Sequence, residues 1–444
     1  MRKGVKENKN FKSTPKQAIK EENSINKQII VLNKKIVIPI SILIILILLA
    51  TLIVYAFTGK QKNTELQAIK TSVNAINLVN NEYMHVEEDA SGDKVTVPNG
   101  NVGSSVTGEN EIDTGYVIYE GEEAVTDSNV AEAQKSRNQY VWVPVPDISK
   151  FYGTDSNGKK WGKLYSFTTE LGDEIDEITG TYPRNWKEVD GKFEITYEYH
   201  TFPYIEPYVA HTDTDSKIKG ISNGGKHEFL NQNEKEFNSM LASVEKYGGF
   251  YIGRYETGNI SQDTPVIRKG NTNINYQTWY EMYKRCKNIK GKNTNVETGM
   301  IWGNQWDRTL MWLIETGNKT KVEIADDSTS WGNYYNATFE YVNSSGSTTT
   351  KNENSETIIP TGSTEYTKAN NIYDLAGNVF DYTMQINEDI RTEVYTSSIR
   401  VAMGGSYINS GNEAQASQKG TAPPDYSRDI IGCRAMLYIK VIKT

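Results

Sequence analysis

Cysteine and histidine are scarce in this sequence: 444 residues contain two cysteines, Cys286 and Cys433, and four histidines, His85, His200, His211 and His227. Two cysteines exclude a disulfide scaffold and a zinc ribbon; at most one bridge remains open, in an oxidising compartment. None of the histidines stands three or four residues from another, so no helical metal-binding pair is written into the chain. Positive charge is also short over most of the length. The formal net charge is −8, yet residues 1–35 hold ten Lys/Arg against Glu7, Glu21 and Glu22, which leaves −15 for the remainder. An acidic body repels phosphates and argues against nucleic-acid partners.

In contrast, the chain is rich in tyrosine and tryptophan, with 28 and 8 copies. Such rings favour a compact, loop-rich domain in which an apolar body is packed and a polar edge stays wet. There is also one long apolar run. Residues 36–57, IVIPISILIILILLATLIVYAF, are 22 residues without a charge, enough at ~1.5 Å per residue to span a ~30 Å hydrocarbon layer. A cleaved signal peptide is the competing reading. It calls for an apolar core of about 7–15 residues and a small-residue cleavage site, whereas this run continues into VYAFTGKQK. The basic residues before the run, Lys27, Lys34 and Lys35 among them, place the N-terminus in the cytoplasm. The expected location is the plasma membrane, with a single pass and the C-terminal domain extracellular.

Four segments follow from this pattern. Residues 1–35 form a disordered basic cytoplasmic tail and residues 36–57 the transmembrane helix. Residues 58–137 are a stalk helix and an acidic linker, and the ectodomain spans 138–444. In residues 64–84 the positions Leu66, Ile69, Val73, Ile76 and Val79 recur at helical steps, which offers a seam for oligomerisation or for packing on the chain's own domain. Residues 86–135 are acidic and rich in Gly, Ser and Asn, with one strand-like run at Gly115–Tyr119, and read as a loose lead-in.

From Gln139 onward, short aromatic runs alternate with polar loops: YVWVPV (140–145), GGFYIGRYE (248–256), IYDLAGNVFDYT (372–383), VAMGGSY (401–407) and GCRAMLYI (432–439). Glycine pairs beside aromatic strands imply close backbone approaches. Gln232–Lys246 and Tyr276–Lys287 carry helical periodicity, and 344–358 reads as a solvated low-complexity loop. The class expected is α+β with low regular secondary structure.

In this order the runs resemble the formylglycine-generating enzyme, or sulfatase-modifying factor, family. GGFYIGRYETG resembles that family's GxFxIGxYEVT segment, TWYEMYKRC (278–286) its Trp-x6-Cys helix, and GMIWGNQWDRTLMW (299–312) the helix that follows. YDLAGNVFDYT is similar to the hallmark YDMxGNVWEWT, and GGSY and IGCRAML resemble the glycine-pair strand and the closing GFRxA strand. An insertion at about 150–245 departs from the pattern. The resemblance implies a C-type-lectin-like fold preceded here by one transmembrane helix.

It also implies chemistry that can be tested against the residues. Family enzymes oxidise a substrate cysteine using two cysteines that hold copper, between the glycine pair and the closing strand. Here that stretch, residues 406–431, has neither Cys nor His, and soft Cu(I) requires soft ligands. No copper is therefore expected, no catalytic residue is assigned, and the chain reads as a non-catalytic member. The family's structural disulfide implies a Cys286–Cys433 bridge, with two separate buried thiols as the alternative. Its structural calcium implies a site of Asn378 and Asp381 side chains with Ala376, Gly377 and Val379 carbonyls; the alternative is that Asp381 pairs with Arg434.

Two functions remain open. One is a binding module for a glycan or a peptide, contacted by Tyr204 and Tyr208 of the insertion and by Tyr407, Asn409 and Tyr426 of the late loop. The other is a metal-dependent oxidoreductase of the formylglycine-generating or nonheme-iron type, with a metal held by His200, His211 and nearby carboxylates.

Overall fold

The computed structural model describes residues 83–154, 158, 160–167, 225–261, 264–387 and 399–441, and the strand pieces 176–177, 185–189, 192–196 and 204–205. The expected tail, the apolar run 36–57 and residues 64–82 of the expected stalk lie outside them. Among the described residues no helix is long and apolar enough to cross a membrane.

The named strands and helices are β1 (Met84–Glu88), β2 (Lys94–Pro98), β3 (Asn101–Gly103), β4 (Val117–Glu120), α1 (Val130–Ser136), β5 (Gln139–Pro144), α2 (Gly225–Tyr247) and β6 (Gly249–Gly253). Then follow α3 (Trp279–Asn288), β7 (Val296–Met300), α4 (Gly303–Glu315), β8 (Phe339–Val342) and β9 (Thr348–Lys351). The chain continues through β10 (Phe380–Asn387), β11 (Ile399–Met403), β12 (Lys419–Ala422), β13 (Ile431–Cys433) and β14 (Ala435–Ile439). Two sheets organise them. A six-stranded sheet has the order β7-β14-β6-β5-β4-β3, and a five-stranded sheet runs from Tyr204–Ile205 through β10, β11 and β12, with β13 beside β10. β13 pairs with β10 in parallel, and the remaining pairs in both sheets are antiparallel.

The aromatic runs become central strands because they are buried on both faces. β5 and β6 are apolar or glycine almost throughout, and every residue of β6 is buried. α4 is enclosed all round, with each residue from Gly303 to Leu313 buried, including Trp306 and Trp312. Its Trp306 indole N–H donates to the Ala416 carbonyl at 3.0 Å, and its Asp307 meets Lys419 at 2.7 Å.

Three readings of the sequence need correction. Residues 86–135 are no linker: β3 and β4 extend the central sheet, and Glu109 lies buried against Arg254 at 2.7 Å. The strand-like run at Gly115–Tyr119 is β4 in part, while the acidic, glycine-rich composition around it hid β1, β2 and β3. The domain thus begins near residue 83, and Met84, assigned to the stalk helix, opens β1 with a buried side chain. Next, the low-complexity 344–358 contributes a hairpin strand, β9, paired with β8. Lys351 there is only 2% exposed, its ammonium donating to the Tyr334 and Ala337 carbonyls at 2.6 and 3.0 Å. Finally, the insertion is anchored at both ends. Phe151, Tyr165 and Phe167 join the core, and α2 packs on β6 and β14. The helical stretch expected at Gln232–Lys246 lies within α2. The one expected from Tyr276 starts three residues later, because Thr278 caps it: its hydroxyl accepts from Glu281 N–H, and Glu281 reaches back to the Thr278 N–H.

Candidate functional site: the loop face over the closing strands

The AGNVFDYT turn forms a polar lattice beneath the surface. Gly377 and Asn378 adopt φ of +72° and +60°, and a Cβ at Gly377 would lie 2.3 Å from the Asn333 carbonyl oxygen, so only glycine fits. The glycine pair interlocks with this turn: Gly377 N–H donates to the Gly404 carbonyl at 2.7 Å, and a Cβ at Gly405 would meet the Ala414 oxygen at 2.2 Å.

Arg434 lies fully buried between β13 and β14. Its Nε donates to Asp381 at 2.9 Å, and its two terminal nitrogens serve the carbonyls of Gly253, Tyr373 and Asp374. Two further buried carboxylates stand nearby. Asp374 accepts from the Thr361 and Thr367 hydroxyls and the Gly362 N–H. Glu256 accepts from Asn273, Asn378 and the Val379 N–H. Burial pushes the Asp381 carboxyl up to about 6 against the pull of Arg434. Burial beside Asp374 and Asp381 pushes Glu256 well above the carboxylate range.

This lattice does not fit the expected calcium. A hard cation requires about six to eight oxygens turned toward one point. Instead Asn378 Oδ1 accepts from Asn333 Nδ2 and Ile359 N–H, and the Ala376 carbonyl accepts from Asn333 N–H. Asp381 pairs with Arg434, the alternative stated above, leaving only its Oδ1 without a partner. Among the described residues no group of three His, Cys, Asp or Glu is arranged to hold a metal ion. His85 faces Asn99 and Glu87 on the first hairpin, and His200 and His211 lie outside the described residues.

The two cysteines meet. Their sulfurs are 3.6 Å apart, both fully buried and present as thiols.

Above the lattice, three loops form an open face. The segment after β11 is held by Asn409, whose Oδ1 accepts from the Ser406 hydroxyl at 2.6 Å and whose carbonyl accepts from Tyr335 N–H. The Tyr407 ring is buried, and its hydroxyl donates to Asp429 at 2.9 Å. Burial, then this contact, pushes the phenol up to about 12. Pro424 and Tyr426 belong to a turn braced from below: the Trp279 N–H donates to the Pro424 carbonyl, and the Tyr382 hydroxyl donates to those of Pro423 and Tyr426. The third loop, 275–277, docks on the second through Tyr276 N–H to the Arg428 carbonyl and Asn275 Nδ2 to that of Asp429.

Of the residues nominated from sequence, this arrangement brings together Tyr407, Asn409 and Tyr426, but gives the first two internal duties. Tyr208 lies outside the described residues, and Tyr204 is described only as a strand residue pairing with Asn387. The exposed members of the face, Tyr276, Ile408 and Arg428, were not nominated. Periodicity counted Tyr276 as the start of a helix it does not join, and Arg428 reads as an ordinary solvated charge.

Residues 306–439 match the family model of the sulfatase-modifying factor enzyme 1-like domain. Among solved structures, CarF is 12% identical, with 44% of this chain and 87% of that one covered and a TM-score of 0.29. PvdO from Pseudomonas aeruginosa is 14% identical, with 44% and 82% covered and a TM-score of 0.28. Treponema denticola variable protein 1 is 14% identical, with 43% and 84% covered and a TM-score of 0.25. No curated protein matches the chain. The AGNVFDYT turn, the glycine pair and the closing strand all lie inside the residues that match the sulfatase-modifying factor family model.

Proposed function

We propose that the chain is a binding module, anchored in the plasma membrane by residues 36–57, that presents the loop face of its sulfatase-modifying factor domain outside the cytoplasm to a glycan or peptide. The observation that carries this reading is what occupies residues 406–431. In place of thiolates or imidazoles, the stretch holds Tyr407, Tyr426, Arg428 and Asp429, fastened by hydrogen bonds into a face built on a rigid core. Loops held this way are common recognition surfaces.

The thiols elsewhere do not supply the missing chemistry. Cys286 and Cys433 are enclosed, and the hydrogen bond from Cys286, with burial, holds the Cys433 thiol well above its ordinary range. A reactive cysteine instead needs a stabilised, accessible thiolate. The acidic balance of the chain outside residues 1–35 favours a neutral or cationic ligand over a polyanion.

The test is thermal denaturation of the full chain against an array of glycans, cell-wall fragments and peptides. A binding module gains melting temperature with one of them in proportion to ligand concentration. Copper-dependent oxidation of a cysteine peptide by the chain, with no such gain, would replace this reading with an enzymatic one.

A further inference from the structure

Tyr276 has an unusual combination of properties. Its φ is +52°, a left-handed conformation that is a true outlier for a bulky residue. Glycine or asparagine would be expected in that conformation. Strain of this sort persists where the surroundings impose it, and it gathers at ligand contacts. Here the surroundings do impose it. Tyr276 N–H is tied to the Arg428 carbonyl, Asn275 is tied to the Asp429 carbonyl, and α3 begins two residues later at its Thr278 cap.

The ring itself gains little from the fold. Tyr276 is 61% exposed, the most exposed large apolar side chain among the described residues. A strained backbone that delivers an aromatic ring into water offers no packing explanation, since a polar residue in that place would fit the bend and the solvent better.

We infer that Tyr276 is the stacking platform of a carbohydrate site on this face, with Arg428 and Asp429 as its polar edge. The inference rests on the binding-module reading above and names the ligand class and the residues. Three features favour a sugar over a peptide. The ring stands on an open face, where a pyranose can lie flat with its C–H groups against the π cloud. Arg428 and Asp429, paired with each other at 3.7 Å and with side chains 54% and 34% exposed, set a donor beside an acceptor, the arrangement that vicinal hydroxyls require, with Asp429 steadied by the Tyr407 hydroxyl. Ile408, the other exposed large apolar residue of these loops, is only 37% exposed, so the loops offer one prominent ring and lack the apolar row that an extended peptide would need.

The experiment compares the full chain with Tyr276→Gly, Tyr276→Asn and Tyr276→Phe. Probes are neutral oligomers of glucose, mannose, galactose and N-acetylglucosamine, with unstructured 15-residue peptides as a second arm. The expected result is saturable binding of at least one oligosaccharide. Affinity falls tenfold or more in the Gly and Asn variants and stays within twofold in the Phe variant. Melting temperature in the Gly and Asn variants is unchanged or higher, which separates lost contact from lost folding. Sugar binding indifferent to Tyr276→Gly would overturn the site and leave the binding module standing. Binding of peptides alone would overturn the ligand class. Binding of neither probe counts against the site and the module together.

Discussion

The lattice around Arg434 and the face around Tyr276 are built from the same closing segments of the chain but follow opposite rules. In the lattice nearly every polar atom has a partner inside the protein, and three carboxylates and one guanidinium are withdrawn from water. On the face the backbone is equally well tied, and Tyr407 and Asn409 are held internally, but Tyr276, Ile408 and Arg428 stand exposed to solvent. Buried charge of the first kind is costly to create and costlier to break, because removing one member strands the others. Exposed charge of the second kind contributes little to stability. The two regions therefore divide the work: one holds the turn and the glycine pair in place, and the other can vary in side chain without loss of the fold.

The sharpest test of this division is Arg434→Ala. It leaves Asp381 unpaired and three carbonyls without donors, and should cost about 3–5 kcal/mol, read as a lower urea midpoint or as failure to accumulate folded protein. A change below 1 kcal/mol would mean the lattice is not what holds the turn.

A smaller effect belongs to the cysteine pair beside the lattice. Joining Cys286 to Cys433 would close a loop across 147 positions and is expected to add about 2–4 kcal/mol. Denaturation with and without reductant, with thiol counting on the unfolded chain, checks it. Two free thiols after oxidant treatment would rule the bridge out.

Lys351 tests burial of charge away from the lattice. Burial pushes its ammonium down to about 8 from 10.5. Between those values the unfolded chain keeps a proton that the folded chain has shed, so stability should rise as pH climbs through that window. Lys351→Met should flatten the rise, measured as denaturation midpoints from pH 7.5 to 10 (a range chosen around that window). An unaltered slope would assign the dependence to other groups.

The smallest expected change in stability is on the face. Arg428→Ala should shift it by no more than about 0.5 kcal/mol, while weakening retention of whatever ligand the array identifies. A large loss of stability there would erase the contrast between the two regions.

What the sequence made legible follows the same division. The YVWVPV, GGFYIGRYE and GCRAMLYI runs were readable as strands because burial on both faces leaves a continuous apolar signature. The Gly404–Gly405 pair was readable as a close backbone approach, and a Cβ at Gly405 would indeed collide with the Ala414 carbonyl. By contrast, β4 is legible only as the strand-like run Gly115–Tyr119, and its place in the central sheet is not, because a partner such as Arg254 for Glu109 lies far along the chain. Lys351 looked like a solvated charge because its acceptors are backbone carbonyls, which no residue name announces. Asn378 and Asp381 were expected as oxygen ligands because the family resemblance implies calcium; of the two, only the pairing of Asp381 with Arg434 stood as an alternative from sequence. Tyr276 was missed for a related reason: its conformation is imposed by Arg428 and Asp429, about 150 positions away.

The position of β14 has a consequence for the order of events during synthesis. It lies between β7 and β6 in the six-stranded sheet, while β13, just before it, enters the other sheet. In sequence β14 follows both β7 and β6, so those two strands keep open edges until it has been made. The six-stranded sheet cannot close earlier. A nascent chain of this kind should need shielding from self-association and should fold slowly for its size, since its decisive pairings span long stretches of sequence.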